Sequence, residues 1–121
     1  MRSKLIYLAS PYSSPHEEIR RLRFDEVTKI AARILLECPD VAVFGPITQS
    51  HPIAAYLPDD TNNSAFWLPI DFAILYRCDE LWVSEMEGVE HSTGVALEIK
   101  AAAKAGIPIH FVETAIEANR V

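Results

Sequence analysis

Two carboxylates in this 121-residue sequence, Glu98 and Asp71, sit where a charge is awkward. Glu98 falls within "HSTGVALEIKAAAKAG" (91–106), which reads as a helix capped by Ser92, rich in alanine and stopped by Gly106. At about 100° per residue, Val95, Ile99, Ala102 and Ala103 share an apolar face, with Lys100 and Lys104 on roughly the opposite side. Glu98 lands about 60° from the centre of that apolar stripe. One turn away lie Gly94, Val95, Ala101 and Ala102, so no lysine of this helix pairs with it. Asp71, in "SAFWLPIDFAILYR" (64–77), is flanked at helical spacing by Trp67, Leu68, Ile74 and Leu75. An ionised carboxylate in such surroundings is costly unless it is hydrogen-bonded or its pKa rises. Each has an ordinary reading, Glu98 as a boundary residue reaching water and Asp71 as an exposed helix edge. The chemical reading is a carboxylate pair serving as nucleophile and acid, which needs this semi-apolar placement.

Other residues fit a small polar ligand. Ser92, Thr93 and Gly94 open a helix, so hydroxyls and free backbone N–H groups form a clamp for an anion or a sugar hydroxyl, although a plain N-cap explains Ser92 as well. "SPYSSP" supplies Ser10, Ser13, Ser14 and Tyr12 without the glycines of a phosphate loop. Tyr7, in an otherwise aliphatic stretch, either turns its hydroxyl into a cleft or fills the core. His51 lies in a long connection and His91 just before the helix; their spacing matches no metal-binding pattern, so no metal is expected. Arg20, Arg21 and Arg23 read as a solvated helix face from which one arginine, Arg23 among them, reaches a phosphate. Trp67, Trp82 and Phe66 either stack on a base or belong to the core. No Ser-His-Asp ordering, nucleophile elbow, Walker motif or GxGxxG is present, and no cofactor is implied.

The elements that must position these residues alternate. Strand-like runs at 4–9, 41–45, 80–84 and 108–112 are separated by helical patterns at 15–37, 64–77 and 92–105, with a short helix expected from Glu113. Pro69 is expected to bend the helix at 64–77 or delay its start. This order predicts a single-domain three-layer α/β/α fold, a parallel Rossmann- or flavodoxin-like sheet of four to five strands covered on both faces. Ligands in such sheets lie beyond the carboxyl ends of the strands. Those ends are "ASPYSSP", "GPITQSHP" and "SEMEGVEHST", whereas the opposite-end loops are short. The span 46–63 is long for a connection and reads as a binding loop or lid, with room for a short helix at "PIAAYL".

Half the residues are hydrophobic, which suits one globular domain over 1–121. A net charge of −6 argues against a nucleic-acid polymer as partner. Cys38 and Cys78 form no CxxC pair, so a reducing cytoplasm is the expected compartment. No apolar run is long enough for a membrane span, and "MRSK" leads into a strand rather than a signal peptide.

"IYLASPYS", "FGPITQSHPIA", an aspartate in the next helix and "STGVALEI" together resemble the nucleoside 2-deoxyribosyltransferase-like superfamily, from Ile6 to about Val112. The pattern is most similar to a small bacterial and phage branch of uncharacterised function. Its S-x-G-V-x-x-E run resembles that of the 2'-deoxynucleoside 5'-monophosphate N-glycosidases. The resemblance implies that Glu98 is the nucleophile attacking the anomeric carbon, Asp71 the acid-base residue and Tyr7 the residue that positions the nucleophile. It further implies a nucleotide or nucleoside ligand held by Ser10, Tyr12, His51, Arg23, Ser92 and Gly94, and a homo-oligomer whose neighbouring subunit helps close the site. Where the transferases carry an aspartate six residues before the nucleophile, this chain has Ser92, the residue that serves the 5'-phosphate in the glycosidases. That departure favours a nucleotide hydrolase over a nucleoside transferase. Lys100, where many members have glycine, is a second departure. Two rivals stay open: a nucleotide-binding module without turnover, and an interaction domain with Leu97 in an oligomer interface.

Overall fold

The computed structural model describes residues 1–120. In chain order the elements are β1 (Lys4–Ala9), α1 (Glu17–Glu37), β2 (Val41–Phe44), α2 (Pro46–Ala54), α3 (Ser64–Leu75), β3 (Glu80–Val83), α4 (Thr93–Ala105), β4 (Ile109–Phe111) and α5 (Val112–Asn119). The four strands pair in parallel in the order β2-β1-β3-β4, with Ala9 in register with Val83 at the centre. This is the expected three-layer α/β/α architecture, with four strands.

Alternation along the strands divides the core in two. Ile6, Leu8 and Trp82 face one side, where α1 and α5 bring Val27, Ile34, Val112 and Ile116 against them. Tyr7, Ala9, Leu81 and Val83 face the other, under Leu75 at the end of α3 and Val95 and Ala102 of α4. Each fully buried Leu, Ile or Val contributes about 1.5–3 kcal/mol by leaving water. Strands buried on both faces need continuous apolar runs, which is why "LIYLA" carries no polar alternation. Among the described residues no helix is long and apolar enough to cross a membrane.

Several boundaries differ from the sequence expectation. α1 starts at Glu17, because Pro15 and His16 stay with the loop and His16 keeps an extended backbone as N-cap. The span 46–63 is more ordered than a lid. Gly45 caps α2 and Pro46 sits at its first position, where a missing N–H costs nothing, so the helix begins there rather than at Pro52. Pro52 lies inside α2, which ends two residues later at Ala54. Pro69 lies within α3 and does not delay it; Asn63 sets the start by accepting the Phe66 N–H. β4 and α5 meet between Phe111 and Val112, one residue earlier than the pattern indicated.

α4 ends as its composition dictates. Gly106 adopts φ 74°, and the Ile107 N–H turns back to the Ala102 carbonyl at 2.9 Å. A β-carbon at Gly106 would meet nothing within 4 Å, so Gly106→Ala isolates the cost of a left-handed backbone. We expect a loss of about 1 kcal/mol, read as a lower urea midpoint with an unchanged m value; an unchanged midpoint would contradict the cap.

Candidate active site

A cavity of about 520 Å³ opens at the carboxyl ends of β1 and β3. These central strands mark the point where the chain changes direction, β2 lying outside β1 on one side and β4 outside β3 on the other. Its walls come from the loop after β1, from α1, α2 and α3, and from α4 with the turn before it.

Glu98 faces the cavity although it is only 5% exposed. Tyr7, fully buried in β1, donates its hydroxyl to Glu98 Oε2 in a hydrogen bond that ties the middle of the sheet to α4. Burial raises the Glu98 pKa to about 8, with the Tyr7 hydrogen bond opposing and the Asp71 charge adding to the rise. Burial likewise pushes Tyr7 above the ordinary phenol range, with the Glu98 and Asp71 charges adding, so its proton stays in place. Asp71 lines the same cavity from α3, and burial raises it to about 6. Around neutrality the two carboxyls therefore hold one proton between them, a property of the pair rather than of either residue. The higher of the two values belongs to Glu98, so the shared proton must pass from Glu98 to Asp71 to give the ionised nucleophile and the carboxylic acid that the chemistry requires.

The remaining candidates divide into those on the wall and those behind it. Ser10, Tyr12, Arg23, Ser92 and Gly94 line the cavity. Tyr7 does not; it stands behind Glu98. His51 also stands back, with Nδ1 2.7 Å from the Tyr12 hydroxyl. Ser92 caps α4 by accepting the Val95 N–H at 3.2 Å, which leaves its own O–H to donate. The hydroxyl of buried Ser10, at the mouth of β1, has no protein partner among the described residues, and neither does that of Ser84 beside it after β3. Lys100 is exposed and leaves the packing of α4 undisturbed.

Arg20 and Arg23 both line the cavity, half-buried, while Arg21 takes the solvent side; of the two on the wall, only Arg23 was among the expected ligand-binding residues. Arg23 donates to the Ser13 carbonyl at 2.8 Å and Arg20 to that of Ser14, so the guanidiniums also pin the loop. Arg23 lies against Gly88, which has φ 91° and whose missing β-carbon would come within 2.7 Å of Nη2. Sequence reading also missed Ser50, because "TQSHP" looked like loop, and gave Leu97 to an interface; Leu97 lies on the cavity wall with 38% exposure. Trp67 forms part of the wall, whereas Trp82 is core. Among the described residues no three His, Cys, Asp or Glu side chains gather as metal ligands would.

The Glu98 shift has a sign that can be checked. The folded chain holds this proton more tightly than the unfolded one, so its contribution to stability declines as pH rises from about 4.5 to about 8. Glu98→Gln keeps the shape without the titration. The variant should gain on the wild type across that window by at least about 1 kcal/mol, roughly 4 °C in Tm; parallel pH–stability curves would refute the assignment.

The sequence matches the model of a "Domain of unknown function (DUF1937)" over residues 4–114. No functionally curated protein matches it. Among solved structures the fold is similar to a 2-deoxyribosyltransferase from Bacillus psychrosaccharolyticus, at 21% identity and a TM-score of 0.55, over 88% of this chain and 70% of that one. It is similar also to a 2-desoxiribosyltransferase from Leishmania mexicana, at 20% identity and a TM-score of 0.52, over 90% of this chain and 63% of that one. At such identity the likeness is one of fold. The chain belongs to the DUF1937 family and is built on the fold of the 2-deoxyribosyltransferases.

Proposed function

We propose that this protein cleaves or transfers the N-glycosidic bond of a 2'-deoxynucleotide or deoxynucleoside, with hydrolysis of a 5'-monophosphate as its main reaction. The observation that carries this reading is the desolvated Glu98, held by Tyr7 and facing the same cavity as Asp71. An oxygen of the Glu98 carboxylate bonds to the anomeric carbon as the carbon–nitrogen bond breaks. The bonding pair leaves on the base nitrogen, and Asp71 supplies its proton. Water then attacks the anomeric carbon and gives a proton back to Asp71, and Glu98 departs as a carboxylate. The oxocarbenium-like states on either side of the glycosyl-enzyme are stabilised by the same negative charge. Tyr7 keeps one Glu98 oxygen hydrogen-bonded and thereby orients the other.

The preference for a phosphate is supported by charge. Arg20 and Arg23, one turn apart on α1, reach the cavity without any ion-pair partner among the described residues, in a chain whose net charge is −6. Two half-buried guanidiniums side by side repel each other and are relieved by an anion between them. The N-terminus of α4, with the Ser92 hydroxyl and the backbone at Gly94, adds further donors.

The test is base release from 2'-deoxynucleoside 5'-monophosphates and free deoxynucleosides, with and without an acceptor base. Glu98→Ala should lose at least about 10³-fold in kcat. Arg20→Ala should raise KM for the monophosphate by a much larger factor than for the deoxynucleoside, which feels only the loosened loop. The rate should rise through about pH 6 and fall through about pH 8, since both carboxyls are protonated below that window and no acid remains above it. Nucleotide binding with no release from any substrate would instead establish a binding module that has lost turnover.

A homo-oligomer and a reducing, cytoplasmic setting complete the reading. α3 is apolar on nearly every side, yet only Leu75 of its residues is buried, and Phe66 and Ile70 stand in the open beside the cavity wall of Trp67 and Asp71. A second copy covering this helix would shield the acid. Both cysteines are free and buried. Light scattering should give at least twice the 13.5 kDa chain mass; a monomer would remove the oligomer from this account.

A further inference from the structure

Of the four glycines, Gly88 alone has a cation against its bare face. It lies in the turn between β3 and α4, with φ 91° and ψ −2°, and its carbonyl accepts the His91 N–H at 3.1 Å. A β-carbon there would stand 2.7 Å from Arg23 Nη2, well inside contact distance. At Gly94, also on the cavity wall, the same atom would meet only Ser92 Oγ, at 3.9 Å. At Gly106, left-handed like Gly88, it would meet nothing within 4 Å.

The two terminal nitrogens of Arg23 have different duties. Nη1 donates to the Ser13 carbonyl at 2.8 Å and, at a longer 3.4 Å, to that of Tyr12. Nη2 has no hydrogen-bond partner among the described residues, which leaves it for a ligand. A guanidinium is a rigid planar fork, so tying Nη1 to the loop after β1 restricts where Nη2 can stand. That place is the open side of Gly88, with both residues on the cavity wall and half-buried. The nitrogen free to serve a ligand is therefore the one that a side chain at position 88 would displace.

We propose that Gly88 is a positioning residue for the substrate's phosphate, acting through Arg23. By lacking a side chain it lets Nη2 stand at the cavity wall as a donor, and so favours a 5'-monophosphate over a free nucleoside. This rests on the reading of the cavity as a deoxynucleotide site. A displaced Arg23 would still carry its charge. What a β-carbon would remove is the place and direction of the donor, on which a hydrogen bond to phosphate depends. Gly88 thus governs geometry rather than charge.

Calorimetric binding to Glu98→Gln, which keeps the cavity but not the nucleophile, separates this from turnover. The quantity read is the affinity ratio between each of the four 2'-deoxynucleoside 5'-monophosphates and its deoxynucleoside. The parent should favour the monophosphate by at least about tenfold, as charge-assisted hydrogen bonds allow. Adding Gly88→Ala should narrow that ratio about five- to tenfold. Adding Gly106→Ala, which carries the left-handed strain with no neighbour to strike, should leave the ratio within about twofold. Arg23→Lys keeps the charge but not the fork and should narrow the ratio as Gly88→Ala does; it decides the matter if Gly88→Ala does not fold. With Arg23→Ala already present, Gly88→Ala should narrow the ratio no further, since no guanidinium is left to displace. An unchanged ratio in Gly88→Ala or in Arg23→Lys would overturn the proposal. So would equal changes in Gly88→Ala and Gly106→Ala, or losses that multiply in the double variant. The expected pattern without base release by the wild type would sink the glycosidase reading and leave this one standing; base release without a phosphate preference would do the reverse. If no nucleotide binds, both fall.

Discussion

The hydrogen bond between Tyr7 and Glu98 is the contact on which the rest of the site depends. It runs from the centre of the sheet to the middle of α4, across a layer otherwise filled by apolar side chains. A carboxylate in that layer would be expelled or would stay permanently protonated without a donor of fixed position. The donor is held in place because β1 is one of the two inner strands, hydrogen-bonded on both sides, and Tyr7 is fully buried. An inner strand of the sheet thus supports the most deeply buried carboxyl of the site.

Much of the fold was legible because parallel sheets demand continuous apolar strands, and "LIYLA", "VAVF" and "ELWV" read no other way. The carboxyl-end location of the cavity followed from the same topology. What stayed hidden depended on reach between elements. A helical wheel places Glu98 at a boundary and cannot know that Tyr7 meets it from another strand. Arg20 read as solvated because three arginines in four positions do not announce which sides of α1 are covered. Leu97 looked outward for the same reason. α2 was lost to its two prolines, although Gly45–Pro46 carried the start signal.

His51 illustrates a different limit. Its neighbourhood in sequence, in a polar stretch at the carboxyl end of a strand, pointed to the ligand space. The helix that forms there turns its ring toward Phe24 and the back of Tyr12, so it reaches the cavity only through another side chain. Sequence patterns report which residues gather near a site, whereas the order in which they stand behind one another is set by packing.

Gly88 and Arg23 show how tightly two distant positions are bound. The guanidinium occupies the volume that any side chain at position 88 would need, and the backbone there already has the geometry glycine favours. A side chain at position 88 would push the flexible end of Arg23 aside, moving a cation on the cavity wall and loosening its tie to the Ser13 carbonyl.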